Sequence, residues 1–253
     1  MKTPILISQT ILFLAIACPH AAFSKTEIIQ RRLVQPEHIV EFIARETTYA
    51  SEVALKAITD GKMEDWSLCQ RMDGLNMDQS HNFIFINSFA EPTDLDRLNE
   101  VWDFKAVFPN KSLDKITTMT ISTVKDVLFY DRVAFSFKAR PNVIRINYAK
   151  TTNVGDYLEL EQTEWFPFVQ ERMESGSTNV ISWTLSRLIA PRGNNIGHEA
   201  ISIDGFDKLS DSLYTYYEND LPFPDMDLLM SVHHKAEVHV YQLIKAVGHD
   251  SEY

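Results

Sequence analysis

The stretch from Trp165 to Trp183, WFPFVQERMESGSTNVISW, decides the fold. Its first part has the apolar spacing of a helix, and Gly176 suits the left-handed position that follows a helix C-terminus. The residues that approach Trp183 then predict the entry to a β-strand. An earlier stretch from Tyr49 to Trp66, YASEVALKAITDGKMEDW, repeats this order in a degenerate form. The chain is therefore predicted to contain one helix–turn–strand unit twice.

Matched residues extend this duplication along most of the chain. Gly61 and Gly176 lie 115 residues apart, as do Phe108 and Phe223. Pairs that lie 117 apart are Trp66 with Trp183, His81 with His198, and Phe89 with Phe206. Lys125 pairs with Lys235 if the last connection is a few residues shorter. An ordered series of this kind, with a period far above that of solenoid repeats, indicates two small domains rather than stacked modules.

The sequence pattern of each unit predicts the element order β-α-β-β-α-β, which is the ferredoxin-like plan. Its helices include residues 92–102 and 113–124 in the first unit and 207–217 in the second. Such a unit carries helices on one face of an antiparallel sheet and leaves the other face uncovered. We therefore predict an α+β protein of two tandem ferredoxin-like units, 25–140 and 141–248, packed sheet to sheet as a pseudo-dimeric α/β barrel. Residues 249–253 form a polar tail.

The composition excludes some classes of partner. The 253 residues are 45% hydrophobic and carry a formal net charge of −11. The hydrophobic content predicts a core of ordinary size. The negative net charge would repel nucleic acid and anionic membrane surfaces.

The first 24 residues predict a signal peptide. The apolar run Ile5–Ala17 is shorter than the roughly 20 residues that cross a bilayer, so no integral membrane span is expected. Small residues at Ala22 and Ser24 predict cleavage before Lys25, and hence a periplasmic or extracellular protein. Cys18 offers an alternative, because residues 15–18 resemble a lipobox and would give a lipid anchor.

Several residues of the second unit resemble a known superfamily. They are Tyr157 to Glu161 (YLELE), Trp165, Pro167, Gln170 to Arg172, Gly176 and Trp183. This set resembles the dimeric α/β-barrel superfamily, especially exported bacterial proteins related to NIPSNAP domains. The first unit departs from it, because Tyr49 stands near the place of Trp165 and the Pro and Arg have no counterpart. The resemblance implies cofactor-free monooxygenases, haem-binding enzymes or proteins without known activity, so the fold alone does not name a function.

Candidate chemistry lies on the strands of the second unit. On a strand, Glu237, His239 and Tyr241 share one face, which would place an acid, an imidazole and a phenol in a row. That face either looks into the barrel or forms a solvent-facing edge. His198, which matches His81, is a second candidate base, because imidazole transfers protons near neutral pH.

Other residues of the second unit are candidate ligand contacts. Arg145 and Asn147 lie on its first strand, Arg172 either binds an anion or ties down a helix end, and Trp183 either lines a pocket or packs in the core. No HxH, HExxH, glycine-rich phosphate loop or CxxCH pattern is present, so no metal site and no cofactor is predicted.

Three functional hypotheses remain open. The first is an exported protein that binds a small apolar or aromatic ligand in a cavity lined by the polar strand faces of the second unit. The second is a cofactor-independent enzyme of monooxygenase or isomerase type, with His239 or His198 as base. The third is structural, with the barrel mediating association of chains, for example as a homodimer.

Overall fold

The computed structural model describes residues 25–73, 81–193, 196–218 and 222–248. The predicted signal peptide with Cys18 and the polar tail lie outside these ranges.

The strands form one closed antiparallel barrel. They are β1 (Thr26–Leu33), β2 (Asp65–Arg71), β3 (Phe83–Phe89), β4 (Thr123–Phe137), β5 (Val143–Thr151), β6 (Ser182–Ala190), β7 (Ala200–Phe206) and β8 (His233–Gly248). Their order around the barrel is β1-β3-β2-β8-β5-β7-β6-β4. The long strands β4 and β8 each join the two units, since β4 pairs with β1 and β6, and β8 pairs with β2 and β5. The predicted pseudo-dimeric α/β barrel is confirmed.

The helices surround the barrel. They are α1 (Ile39–Arg45), α2 (Ser51–Thr59), α3 (Leu98–Val101), α4 (Phe104–Val107), α5 (Leu113–Ile116), α6 (Val154–Leu160), α7 (Phe166–Ser175), α8 (Leu209–Leu213) and α9 (Met226–Val232). Short 3₁₀ turns cover Pro36–His38 and Pro92–Arg97. Within the described residues, no helix is both long and apolar enough to cross a membrane.

Two predicted helices are much shorter than expected, and a third is mainly 3₁₀. The segment 92–102 is helical from Pro92 to Val101, as a 3₁₀ helix followed directly by α3. The segment 207–217 contains only α8, and α5 ends at Ile116. The rest of the segment 113–124 is rich in Thr, and its last two residues already belong to β4. Branched side chains and hydroxyls that compete for backbone hydrogen bonds lower the helix propensity there. The backbone of the last two residues pairs with β1 instead.

Both units interrupt their long helix at the same place. A π-helical turn spans Glu46–Ala50 between α1 and α2, and a second spans Glu161–Trp165 between α6 and α7. They lie 115 residues apart, as do Gly61 and Gly176, whose φ angles are 68° and 78°. The duplication therefore extends to backbone irregularities that the sequence did not reveal.

Pairing register corrects one predicted match. Around the bulge in β4, Asp126 and Val124 have consecutive partners on β1, so Lys125 is skipped. The corresponding bulge in β8 skips Ala236. Lys125 therefore corresponds to Ala236, and its predicted pairing with Lys235 is off by one residue.

The sheet has two buried faces, which gives three apolar clusters. Phe83 and Phe85 pack under the helices of the first unit, whereas Ile84 points into the barrel. Trp183 and Phe206 belong to the matching cluster of the second unit. Burial of each such side chain stabilises the fold by about 1.5–3 kcal/mol. Because both faces are covered, several strands are nearly continuous in apolar residues rather than alternating.

Candidate functional site

A cavity of about 460 Å³ lies between the sheet and the helices of the first unit. Its walls are mainly apolar and include Ile28, Trp66, Phe85, Phe89, Trp102 and Phe129. We call this space the first-unit cavity. A concave, largely apolar space of this size, with a few polar groups, is typical of a small-molecule site.

Arg32 and Glu46 form the charged end of the first-unit cavity, and both are almost fully buried, with 8% and 6% of their surface exposed. The Thr118 hydroxyl lies between them and donates to a carboxyl oxygen of Glu46. Arg32 donates from Nη1 to Ser122 Oγ at 2.8 Å and from Nε to Gln30 Oε1 at 2.9 Å.

Burial controls the protonation of this pair. Loss of solvent raises the pKa of the Glu46 carboxyl, although Thr118 and Arg32 act in the opposite direction. Burial likewise lowers the pKa of Arg32, against the attraction of Glu46. Each group therefore bears a desolvation penalty that the other only partly offsets.

The π-helical turn at Glu46–Ala50 borders the cavity with its first and last residues. A π turn widens the backbone by one residue and re-aims the side chains that follow, which is a recurrent feature of functional sites. Hydroxyls support the widened turn, since Thr47 Oγ1 donates to the carbonyl of Ile43 and Ser51 Oγ to that of Thr47, both at 2.7 Å.

The last residue of the π turn differs in size between the two units. Ala50 is the last residue of the first π turn, and Trp165 is the last residue of the second. The Trp165 ring packs on Phe168 at 5.1 Å and edge-on against Tyr217 at 5.8 Å. Tyr217 lies 115 residues after Trp102, a wall residue of the first-unit cavity. The indole therefore fills space of the kind that the Ala50 methyl leaves open.

A second polar cluster lies inside the barrel at one end. His81 Nε2 and the Tyr241 hydroxyl are 2.8 Å apart, and the Tyr130 hydroxyl and His198 Nε2 are 2.7 Å apart. Each pair joins one unit to the other, and all four side chains are buried.

The four groups of these pairs are electrically neutral near pH 7. Burial, followed by the charge of Arg31, lowers the pKa of His81 to about 3 and that of His198 to about 4. Burial also raises the pKa values of Tyr130 and Tyr241 well above the usual range. Each hydroxyl therefore shares a hydrogen bond with a neutral imidazole, and the tautomer of the ring decides which of the two groups donates. His198 is a weak base here because its conjugate acid forms only at low pH.

His239 lies beside this cluster on the barrel face of β8. Its Nε2 is 2.9 Å from an oxygen of Glu237, and its Nδ1 is 3.5 Å from an oxygen of Asp73. The Glu237 side chain is 61% exposed, so the acid sits at the barrel mouth while Tyr241 lies inside. The predicted row of Glu237, His239 and Tyr241 therefore looks into the barrel, away from the first-unit cavity.

The other predicted ligand contacts lie on the opposite face of the sheet. Arg145 and Asn147 both donate to the carboxylate of Asp204, at 2.8 Å and 3.0 Å. They point to the helix side because β5 alternates, with Ile144 and Ile146 inside the barrel.

Arg172 and Trp183 lie in the apolar cluster beneath α7. The guanidinium of Arg172 stacks over the Phe168 ring at 3.6 Å, and Trp183 is fully buried beside Phe166 at 5.5 Å. The predicted site residues therefore divide between the barrel side and the helix side of the sheet. The first-unit cavity is lined by residues of the other unit, and a ligand site on the strands of the second unit stays a prediction.

The polar residues of the first-unit cavity were not predicted as site residues from the sequence. Glu46 and Glu161 lie 115 residues apart, like the two helix-ending glycines, and this equivalence was the available signal. An acid repeated on the core side of a helix indicates a buried role, but its partners Arg32 and Thr118 are distant in the chain.

The first-unit cavity does not fit a haem, although the superfamily resemblance extends to haem-binding enzymes. Its described lining has no histidine, cysteine or tyrosine that could ligate iron. The sulfur of Met119 faces Arg32 Nη2 at 3.6 Å. Across the part of the chain that the structure describes, no group of three His, Cys, Asp or Glu side chains could hold a metal ion.

Comparison with solved structures relates the barrel to known proteins. A proposed monooxygenase from Lactobacillus acidophilus NCFM superposes with a TM-score of 0.56 at 10% identity, over 89% of this chain and 96% of that one. The fold is that of the dimeric α/β barrels. A proposed monooxygenase from Fusobacterium nucleatum gives 0.55 at 8% identity over 90% and 96%, and an anthrone oxidase-like protein gives 0.51 at 11% over 89% and 93%.

In sequence, no protein-family model matches the chain and no curated protein is similar to it. The relation to NIPSNAP proteins therefore stays a prediction. At such low identities the solved structures show the fold alone.

Proposed function

We propose that this protein binds a small, largely apolar or aromatic molecule in the first-unit cavity. The observation that carries the proposal is an aromatic-walled space of about 460 Å³ with one arginine and one carboxyl group at one end. Apolar walls supply affinity, and the buried polar end supplies orientation. The barrel closes within one chain, so binding needs no second copy, and a homodimer stays a prediction.

The experiment fills the cavity with the side chain that the second unit already uses. Ala50→Trp puts an indole at the position that corresponds to Trp165, where the equivalent π turn of the second unit carries one. Binding is measured by fluorescence titration with N-phenyl-1-naphthylamine, a neutral aromatic probe. We expect the substitution to weaken binding at least about tenfold, or about 1.4 kcal/mol.

Leu55→Trp is the matched control, because Leu55 is exposed on α2 and the same side chain is added outside the cavity. It should leave the affinity within about twofold of wild type. Equal probe affinity in wild type and a folded Ala50→Trp variant would exclude the first-unit cavity as the site.

The enzyme alternative of monooxygenase or isomerase type is favoured by one observation, the contacts of His239 with two carboxylates. Such contacts orient the imidazole, and general-base catalysis needs a base held in a fixed position. Under this second proposal, His239→Ala lowers turnover of a cognate substrate by about 100-fold or more, with binding of the naphthyl probe unchanged. Unchanged turnover would remove His239 from the chemistry.

We further propose that the protein is exported, on the strength of the apolar N-terminal run and the small residues before Lys25. Mass spectrometry of the mature N-terminus tests this. A chain that begins at Lys25 supports cleavage by signal peptidase, and a lipid-modified Cys18 supports the anchored alternative. An intact N-terminus at Met1 in the cytoplasmic fraction would contradict both.

A further inference from the structure

The charged end of the first-unit cavity contains few charged groups. Arg32 and Glu46 are the only charged or titratable side chains in its described lining. The groups around Arg32 are otherwise neutral, namely Gln30, Thr118, Ser122 and Met119. Arg45, the neighbour of Glu46, turns away and donates to the carbonyls of Asp114 and Thr117. Glu46 therefore faces one cation and one hydroxyl.

We propose that the first-unit cavity selects ring molecules that carry one carboxylate, and that Glu46 takes up a proton when such an anion binds beside Arg32. The inference rests on the proposed function and adds the ligand class and the residue that adjusts to it. The proton comes from solvent and joins a Glu46 carboxyl oxygen. No bond in the ligand is broken.

The reason is electrostatic. A guanidinium binds a carboxylate through two parallel hydrogen bonds, and it is the one cation available in the described lining. A second carboxylate held in the same low-dielectric space repels the first, so one of the two must become neutral. Glu46 is the group suited to this, because burial already favours its neutral form. The ligand then replaces Glu46 as the counter-charge of Arg32.

The affinity for such an anion therefore depends on pH. Below the pKa that Glu46 has in the free protein, the group is already neutral and binding is strongest. Between that pKa and the higher pKa that Glu46 has in the complex, binding takes up a proton, and the affinity falls by up to tenfold per pH unit. A neutral ring molecule of the same size places no charge beside Arg32, so its affinity stays constant.

The test compares 2-naphthoate with 2-naphthol, which is the neutral analogue. Their affinities are measured by displacement of N-phenyl-1-naphthylamine between about pH 5.5 and about pH 8.5, where the ligands keep their charge states. Calorimetry in two buffers of different ionisation enthalpy gives the number of protons taken up. For wild type, we expect the 2-naphthoate affinity to fall at least about tenfold across this range, with proton uptake, and the 2-naphthol affinity to stay within about twofold.

Glu46→Gln should bind 2-naphthoate with a flat pH profile and no proton uptake. Thr118→Val is a second variant that keeps the acid. It removes the hydroxyl that lowers the pKa of Glu46, so the decline in affinity should move to higher pH. Arg32→Lys should weaken 2-naphthoate binding more than 2-naphthol binding, because a lysine cannot form the paired contact.

Two results would overturn this inference and leave the proposed function standing. One is 2-naphthoate binding without a pH slope in wild type, and the other is the same slope in Glu46→Gln. Displacement of the probe by 2-naphthol alone would also overturn it, since the cavity would then reject anions. Failure of wild type to bind the probe at all would instead remove the proposed function.

Discussion

Ala50 and Trp165 occupy the same place in the two units, and they differ by a whole indole ring. In the second unit that ring contacts Phe168 and Tyr217. In the first unit the same place borders the first-unit cavity. The second unit therefore has an indole at the place where the first unit has a methyl group beside its cavity.

The tyrosine–histidine pairs are the second feature at the scale of single residues. Tyr241→Phe removes the hydroxyl and leaves His81 Nε2 buried without this hydrogen bond, which costs about 1–3 kcal/mol of unfolding free energy. Tyr130→Phe should cost a similar amount through His198. Urea denaturation measures both values.

Tyr216→Phe is the control, because that side chain is exposed, and it should change stability by less than about 0.5 kcal/mol. A Tyr241→Phe protein as stable as this control would show that the buried pair contributes nothing to the free energy of folding.

At the scale of elements, the π turns and the glycines that end α2 and α7 define the repeated helix. Gly61 and Gly176 have positive φ angles, a conformation that a Cβ atom disfavours by about 1–2 kcal/mol. We expect Gly61→Ala and Gly176→Ala each to lower the unfolding free energy by about 1 kcal/mol. Chemical denaturation followed by circular dichroism is a suitable measurement.

Gly197→Ala provides the comparison, since this glycine lacks a positive φ and its added methyl meets open space. It should be neutral or slightly stabilising, because alanine restricts the unfolded chain. A loss at Gly197 equal to that at Gly61 would mean that backbone conformation is not the cause.

The sequence predicted those elements whose local signals agree with their packing. Gly176 and the apolar spacing before it identified the helix end, and the repeat gave the barrel. The segment 113–124 has helical spacing, yet its last residues pair with β1, a long-range effect that local propensity does not contain.

The site was harder to predict for two physical reasons. Both faces of β5 are buried, so alternation alone did not say that Arg145 points to the helices and Tyr148 into the barrel. The small Ala50 side chain borders the first-unit cavity, and hydrophobic periodicity cannot distinguish an alanine that packs from one that leaves space.

At the scale of the whole molecule, β4 and β8 close the barrel by pairing across the units, and the two buried tyrosine–histidine pairs reinforce the same junction. Removal of solvent from both imidazoles couples barrel stability to pH. The folded state lowers the pKa of His81 to about 3 and of His198 to about 4, against about 6.5 in the unfolded chain.

A depressed histidine pKa stabilises the folded state fully above the unfolded value. This contribution is lost as the pH falls from about 6.5 towards about 4, because the unfolded chain binds protons that the barrel excludes. Each histidine contributes a slope of up to about 1.4 kcal/mol per pH unit in that range. Urea denaturation at several pH values should show the decline.

The double variant His81→Gln, His198→Gln cannot titrate at these positions and should lose most of that slope. An equal slope in this variant and in wild type would assign the acid sensitivity to other groups.

Ligand binding in the first-unit cavity is tested most directly by a crystal structure of the protein with bound N-phenyl-1-naphthylamine. We predict the aromatic rings between Trp66 and Trp102, beneath the helices of the first unit and next to Ala50. Density for the probe among His81, His198 and His239 inside the barrel, with the first-unit cavity free of probe, would contradict this.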